Sequence, residues 1–439
     1  MRDHTAMEPV FIDTLTGPTQ HFVIALSGGI DSSVLLALCH DAARHYPQHE
    51  FRAVHVNHGL HADADRWEDF CANQSHRYGI PFSALSVTVE RQGSLESAAR
   101  EARYQALFDD MKPAEILLLA HHQTDQLETV LLQLKRGAGP KGLAAMAPMY
   151  WHARGIQVQR PLLGWEQASI EALAEQRKLQ WIEDPSNQDT RMDRNFLRHE
   201  VLPLLLQRWP QMSKAADRSA RLCAQQQDLL DEVIQHRLAG MCDDDGCLLL
   251  QALAEHTLPW QQALLRGWLE QRGAPTPSLA QLQEMLSIQD SRDDAQPDVR
   301  WGGWQVRRFR DVLYVDPINQ TRPQNTVLSV PGTLSLPGGA TMTLSRQASA
   351  DGVAVGLDPD QPCDVVFDHF SARFQPHDEP FSKPLKQWFK AWGIPPWQRS
   401  DVVQLRQQGQ IVALIRQQHI VPAARNDSRH SQCFVSIES

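Results

Sequence analysis

Apolar and polar positions along the first half of the chain change period repeatedly, which separates strands from helices. His21–Leu26 (HFVIAL) is a short apolar run, and apolar residues continue at helical spacing from Val34 to His40. Phe51–Asn57 (FRAVHVN) reads as a second strand, Trp67–Tyr78 as a helix and Pro81–Val89 as a third strand. Leu95–Lys112 then predicts a helix, Glu115–Ala120 a strand and Asp125–Lys135 a helix. Strands that alternate with helices imply a parallel sheet covered on both faces. Ligands of such sheets bind beyond the carboxyl ends of the strands.

Ile170–Gln180 is a further helix, with Ile170, Leu173, Ala174 and Leu179 on one side. After Pro203 the character changes. Ser213–Leu238 predicts a long helix rich in Gln and Ala, Trp260–Gln271 and Leu279–Ile288 predict shorter ones, and Arg300–Val315 alternates like strands. Pro317–Thr326 is polar, carries two prolines and reads as a linker. Beyond it, turns at Pro331–Gly332 and Gly338–Gly339 punctuate short strands. The expected class is α/β: a Rossmann-like parallel-sheet domain over 1–212, a mostly helical domain over 213–318 and a small α+β domain over 319–439.

Composition bounds the partners. With 439 residues, 42% hydrophobic and 21% charged, the chain is long enough for two or three ordinary cores. The first twenty residues hold Asp3, Glu8 and Asp13 and no long apolar stretch, which argues against a secretory or transit signal. The longest apolar runs, such as Ile116–Ala120, are strand-sized, so the expected place is the cytoplasm, with no membrane contact. Seven scattered cysteines without a CxxC pair argue against a disulfide framework and against a zinc or iron–sulfur site. A net charge of −10 weighs against binding nucleic acid by bulk attraction.

The segment richest in chemistry is Phe22–Ser33, FVIALSGGIDSS. An apolar strand runs into Ser27, Gly28, Gly29 and Ile30, and a helix is expected to begin near Asp31 or Ser32. Two glycines allow a tight turn and close approach of backbone to a ligand. Free amides at the helix start, with the helix dipole, favour a phosphate chain, and Ser27, Ser32 and Ser33 add hydroxyls. The string is neither a Walker loop nor GxGxxG. A plain strand-to-helix turn with serine caps is the bland alternative.

This loop resembles that of the N-type ATP pyrophosphatases, the PP-loop superfamily. Four further strings narrow the likeness: HVNHGL at His55–Leu60, ESAAREARY at Glu96–Tyr104, LLLAHHQTDQLETVLLQLKRGAGPKGLAAM at Leu117–Met146, and WIEDPSNQDTRMDRNFLR at Trp181–Arg198. Together they resemble the bacterial tRNA(Ile)-lysidine synthetase family, densely over residues 21 to 205. KPLKQWFKAWGIPPWQR at Lys383–Arg399 is similar to that family's C-terminal domain. The resemblance implies an ATP-dependent ligase that joins free L-lysine to C2 of the first anticodon cytidine of a tRNA(Ile) with a CAU anticodon. It implies ATP and Mg²⁺, an adenylated intermediate, and a homodimer as an open option.

On this resemblance, Ser27–Ser33 and His122 would bind ATP, and Asp31 would work near the Mg²⁺–phosphate centre. Asp31, Asp125 and Arg194 are the expected catalytic residues. Arg100, Arg103, Glu128, Lys135, Asp184, Asn187, Lys383, Lys386 and Arg399 are expected to meet lysine or tRNA. Each has a simpler reading: Asp125 and Glu128 stand at capping-box spacing, Asp184–Asn187 is an ordinary turn, and Arg100 and Arg103 suit a solvated helix face. The family's usual Asp–Asp–Gln is Thr124–Asp125–Gln126 here, which removes a carboxylate from position 124. Two runs interleave basic and aromatic residues as RNA contacts do, Arg300–Arg310 and Lys383–Arg399. Within the same superfamily a tRNA 2-thiolation enzyme is the competing activity, and a catalytically inert tRNA-binding protein the competing class.

Overall fold

A computed structural model describes residues 19–59, 61–88, 95–290, 297–318, 323–336, 339–348, 352–416, 419–424 and 433–438. Two compact units divide the chain, Met1–Val233 and Ile234–Ser439. Among the described residues, the first is built on a six-stranded sheet: β1 (His21–Ala25), β2 (Glu50–Asn57), β3 (Phe82–Ser86), β4 (Glu115–Leu118), β5 (Met149–Trp151) and β6 (Gln157–Gln159). Their order is β3-β2-β1-β4-β6-β5, with every pairing parallel except β5 against β6. The expected α/β class holds. The edge pair β5–β6 was not anticipated, because three-residue strands show too little period to read.

Alternation along β1 sends side chains to both faces. Phe22 and Ile24 join Ile116 and Leu118 beneath helices α1 (Ile30–His45) and α5 (Gln167–Gln176). Val23, Val54 and Leu117 face Leu107 and Phe108 of α3 (Leu95–Asp110) on the other side. Helix α2 (Ala64–Arg77) lies beside β2 and β3, and α4 (Gln123–Lys135) follows β4. Each fully buried Leu or Phe contributes about 1.5–3 kcal/mol, so two such faces fix the sheet firmly. β1 sits where the strand order reverses, between β2 and β4. The crevice past the carboxyl ends of β1 and β4 is therefore where a ligand is expected.

The long helix α6 (Met212–Leu238) runs across the boundary between the units. In the second unit, α7 (Leu258–Gln271) and α8 (Leu279–Ser287) pack on an antiparallel meander of Asp298–Trp301, Trp304–Phe309 and Val312–Pro317. Further on, antiparallel strands centred on Gln410–Arg416 and Cys433–Glu438 enclose a core containing Met342, Leu344, Val365, Leu405 and Val435. A short helix, α9 (Leu385–Ala391), buries Trp388 and Phe389. Of the expected linker 317–326, residues 319–322 lie outside the described residues.

Candidate active site

The turn after β1 and the start of α4 build one cleft. Gly28 has φ +85°, and a Cβ there would lie 2.8 Å from Ile182 Cδ1, so both conformation and space require glycine. Helix α1 begins at Ile30, one residue earlier than expected, with Gly29 as its N-cap and no side chain capping it. The first intrahelical bond runs from Ser33 N to Gly29 O, so the amides of the first helical turn have no carbonyl partner within the helix, while Gly29 N donates to Ser27 Oγ at 3.4 Å. Inside the turn the Ser32 hydroxyl donates to Gly29 O at 3.0 Å and accepts from Ser27 N at 3.2 Å. Ser27 Oγ lies 3.0 Å from Ser32 Oγ.

Asp31 projects from the first turn of α1, and its Oδ1 is buried with no hydrogen-bond partner. Burial raises its pKa above the usual carboxylate value, and His122 pulls the other way. Across the cleft His122 caps α4. Its Nδ1 accepts from Thr124 N at 3.2 Å, and its backbone N donates to Asp125 Oδ2 at 3.0 Å. An accepting Nδ1 places the ring proton of neutral His122 on Nε2. That nitrogen lies 3.8 Å from Asp31 Oδ1 and 3.4 Å from Asp125 Oδ2. The capping role suspected for Asp125 is real, but its partner is His122 rather than Glu128.

A residue not singled out from the sequence completes the network. Arg198 donates to Asp125 Oδ1 at 3.1 Å and to Glu128 Oε1 at 2.8 Å. It stands on a π-type turn, Leu197–Val201, that widens the helix at that point. Glu128 is fully buried, its Oε2 has no partner, and burial raises its pKa. Arg194 reaches the same helix by donating to Thr129 Oγ1 at 3.2 Å. Arg198 closed the WIEDPSNQDTRMDRNFLR string, four residues after Arg194, so its signal was visible.

The chain resembles known proteins over most of its length. A PP-loop domain matches residues 6–205, a TilS substrate binding domain 248–314 and a TilS substrate C-terminal domain 363–429. The tRNA(Ile)-lysidine synthase of Serratia proteamaculans is 41% identical over 404 residues, covering 91% of both chains. That of Pectobacterium atrosepticum is 40% identical over 421 residues, covering 92% of both. Among solved structures, a U34-tRNA thiolase from Methanococcus maripaludis superposes with a TM-score of 0.43 at 18% identity, covering 50% of this chain and 79% of that one. The chain belongs to the tRNA(Ile)-lysidine synthase family. As a member it is an ATP-dependent ligase with a PP-loop nucleotide-binding domain.

For a lysidine synthase, the structure places the other expected residues as follows. Arg103 donates to His58 Nε2 at 3.3 Å, and desolvation lowers its pKa below the usual guanidinium value. Arg100 lies over the Tyr104 ring at 5.3 Å. Asp184 accepts from Ser186 N at 2.8 Å and so caps the Pro185–Gln188 turn, the simpler reading of that segment. Asn187 is exposed on that turn, with its backbone O 2.8 Å from His199 Nε2. Lys135 forms an exposed pair with Asp193 at 2.7 Å, the kind worth about 0–1 kcal/mol. Among the described residues, no group of three or more His, Cys, Asp or Glu could hold a metal.

In the second unit the two basic–aromatic runs are presented differently. Arg307 lies over the Trp397 ring at 4.2 Å and donates to Asp316 at 2.8 Å. Arg308 donates to the carbonyls of Ile288, Gln289 and Arg310. Trp301 is buried with its Nε1 donating to Pro275 O. Trp301, Val306 and Arg308 of the first run are thus buried, and Arg300 and Arg310 are exposed. In the second run Lys383 lies 4.4 Å from the Trp388 ring centroid, and Arg399 Nε donates to Ile394 O at 3.4 Å. Lys386, Lys390 and Trp392 are exposed, and Trp392 stacks on Trp388.

Proposed function

We propose that the chain ligates free L-lysine to C2 of the first anticodon cytidine of tRNA(Ile) bearing CAU, changing its decoding from AUG to AUA. In the first step the C2 oxygen attacks the α-phosphorus of ATP, an O–P bond forms, and pyrophosphate leaves. In the second the lysine amine attacks C2, a C–N bond forms, and AMP departs with the oxygen. A ring oxygen is a poor leaving group, and adenylation makes it a good one. The cytidine must be unstacked to reach the cleft. A tRNA substrate supports a cytoplasmic location. Among the described residues no helix is long and apolar enough to cross a membrane.

The observation that carries this reading is the pairing of an uncapped helix start with the partnerless Asp31 oxygen at the sheet's reversal point. The amides and the hydroxyls of Ser27 and Ser32 suit the pyrophosphate end of ATP. A buried carboxylate oxygen without a donor fits a cation, so Asp31 would hold Mg²⁺ together with phosphate oxygens. When bound, that ion supplies positive charge against the triphosphate. Arg194 and Arg198 add charge from the other wall. Lysine must lose a proton to attack, since at its reference pKa near 10.4 only about one in 2,500 is neutral at pH 7. Asp125, Glu128 and Asp184 are the carboxylates in question. Glu128 suits the role best, because its Oε2 is vacant and its pKa is raised towards neutrality.

A 2-thiolation reaction would need a reactive thiolate near the loop. Cys71, next to Gly28, is pushed up to about 12 by burial, and Cys39 well above 9. Both stay protonated and unreactive. Incubation with ATP, radiolabelled lysine and CAU-anticodon tRNA(Ile) tests the proposal. Label should enter the tRNA, and Asp31→Ala should abolish it while the protein stays folded. Unlabelled tRNA with the intact protein would refute it.

A further inference from the structure

The phosphate turn is held from behind by a side chain outside every motif above. Gln74, on α2, is buried, and its Oε1 accepts the hydroxyl of Ser33 at 3.2 Å. Its Nε2 donates to Gln180 O at 2.9 Å. Ser33 is itself fully buried, so its hydroxyl cannot turn to solvent for another partner. Two residues on, Ile182 N donates to Gly28 O at 2.8 Å, and the Ile182 side chain fills the space a Cβ on Gly28 would take. The turn is therefore fastened at both ends to one short segment, 180–182. That segment leads directly into the stretch carrying Asp184, Asn187, Arg194 and Arg198.

We infer that Gln74 is a positioning residue: through Ser33 and Gln180 it holds the phosphate turn in its binding geometry against the 180–198 segment. Both amide atoms are used, one as acceptor and one as donor, from one planar group that spans the two partners, and Asn is a carbon shorter. Gln74 shapes the turn without touching nucleotide. The inference deepens the proposed function and rests on the reading of Ser27–Ser33 as the pyrophosphate site.

The test measures binding of inorganic pyrophosphate and of ATP, each with Mg²⁺, by calorimetry, and KM for ATP and for lysine in the labelling assay. Gln74→Ala should weaken both ligands about tenfold, the usual effect of losing buried hydrogen bonds. KM for ATP should rise in parallel, while KM for lysine stays unchanged. Ser33→Ala should weaken pyrophosphate similarly, and the double variant should be little worse than either single one, because the two residues share one contact. Gln74→Glu keeps the acceptor and donates to Gln180 O only when protonated. Its affinity relative to the parent should therefore recover as pH falls from about 8 to about 6. Circular dichroism and thermal melting of each variant show whether it is folded. Parent binding with undiminished affinity in Gln74→Ala, or fully additive losses in the double variant, overturns the inference alone. A parent protein that binds neither ligand overturns the reading of the turn, and this inference with it.

Discussion

The cleft after β1 and the arginine-rich meander of the second unit both bury charge beside aromatic or histidine rings, yet they treat it differently. In the cleft, Asp31 Oδ1 and Glu128 Oε2 are removed from water and given no donor, and His122 stands between two carboxylates without a close bond to Asp31. In the meander, Arg307 donates to Asp316 and lies over the Trp397 face, with its Nε left without a partner, and Arg308 donates to three backbone carbonyls. A buried polar atom without a partner costs about 1–3 kcal/mol. In the cleft the vacant atoms are carboxylate acceptors at the sheet's switch point, where a ligand can supply the partner, whereas the meander's guanidiniums are largely bonded within the fold. Buried charge is thus a sign of function where a vacant atom also lies beside a ligand site.

The comparison predicts opposite responses to substitution. Asp31→Asn should lower lysine incorporation by roughly 10²–10³-fold, on the scale of losing a preorganised charge, while the melting temperature holds or rises. A clear loss of thermal stability in that variant would break the contrast. Arg198→Met leaves Asp125 and Glu128 buried without their cation. It should destabilise the protein by about 3 kcal/mol in urea unfolding, besides reducing activity. Trp397→Ala removes the Arg307 platform and edge contacts to Tyr314 and Phe309. A stability loss of about 2 kcal/mol with unchanged ATP affinity is expected; impaired ATP binding would contradict the division of labour.

The smallest effect concerns pH. His58 is held down to about 4, first by burial and then by Arg103. Between its ordinary value of 6.5 and about 4 the unfolded chain takes up a proton that the folded chain refuses. Stability should therefore fall as pH drops through that window. His58→Gln should flatten this decline in melting curves recorded from pH 7 to pH 4.5, and an unchanged decline would remove His58 as a source.

Much of the architecture was legible because β1 to β4 are four to eight residues long and apolar, and because SGGIDSS has few structural explanations. Met149–Trp151 and Gln157–Gln159 escaped notice because each is too short to show a period. The basic and aromatic alternation at Arg300–Arg310 was visible, but alternation does not say which side meets water, and here Trp301 and Arg308 went inward. Gln74 could not have been found from the sequence. Its importance comes from a contact 41 residues away and another 106 residues away, neither of which leaves a local pattern.

The widened turn at Leu197–Val201 has a consequence for how this stretch can vary in length. Upstream, Asn195 is fixed by bonds to Ser186 O and Asp189 O, and downstream, Leu202 is seated against Leu127 and Ala216. A regular α-helix of the same residues would lengthen the stretch by about 1.5 Å and rotate one end by about 100° against the other. Arg198 would then swing away from Asp125, or Leu202 would leave its niche. The extra residue of the widened turn thus sets the phase between the two anchors, so that insertions or deletions are absorbed here only if the turn changes with them.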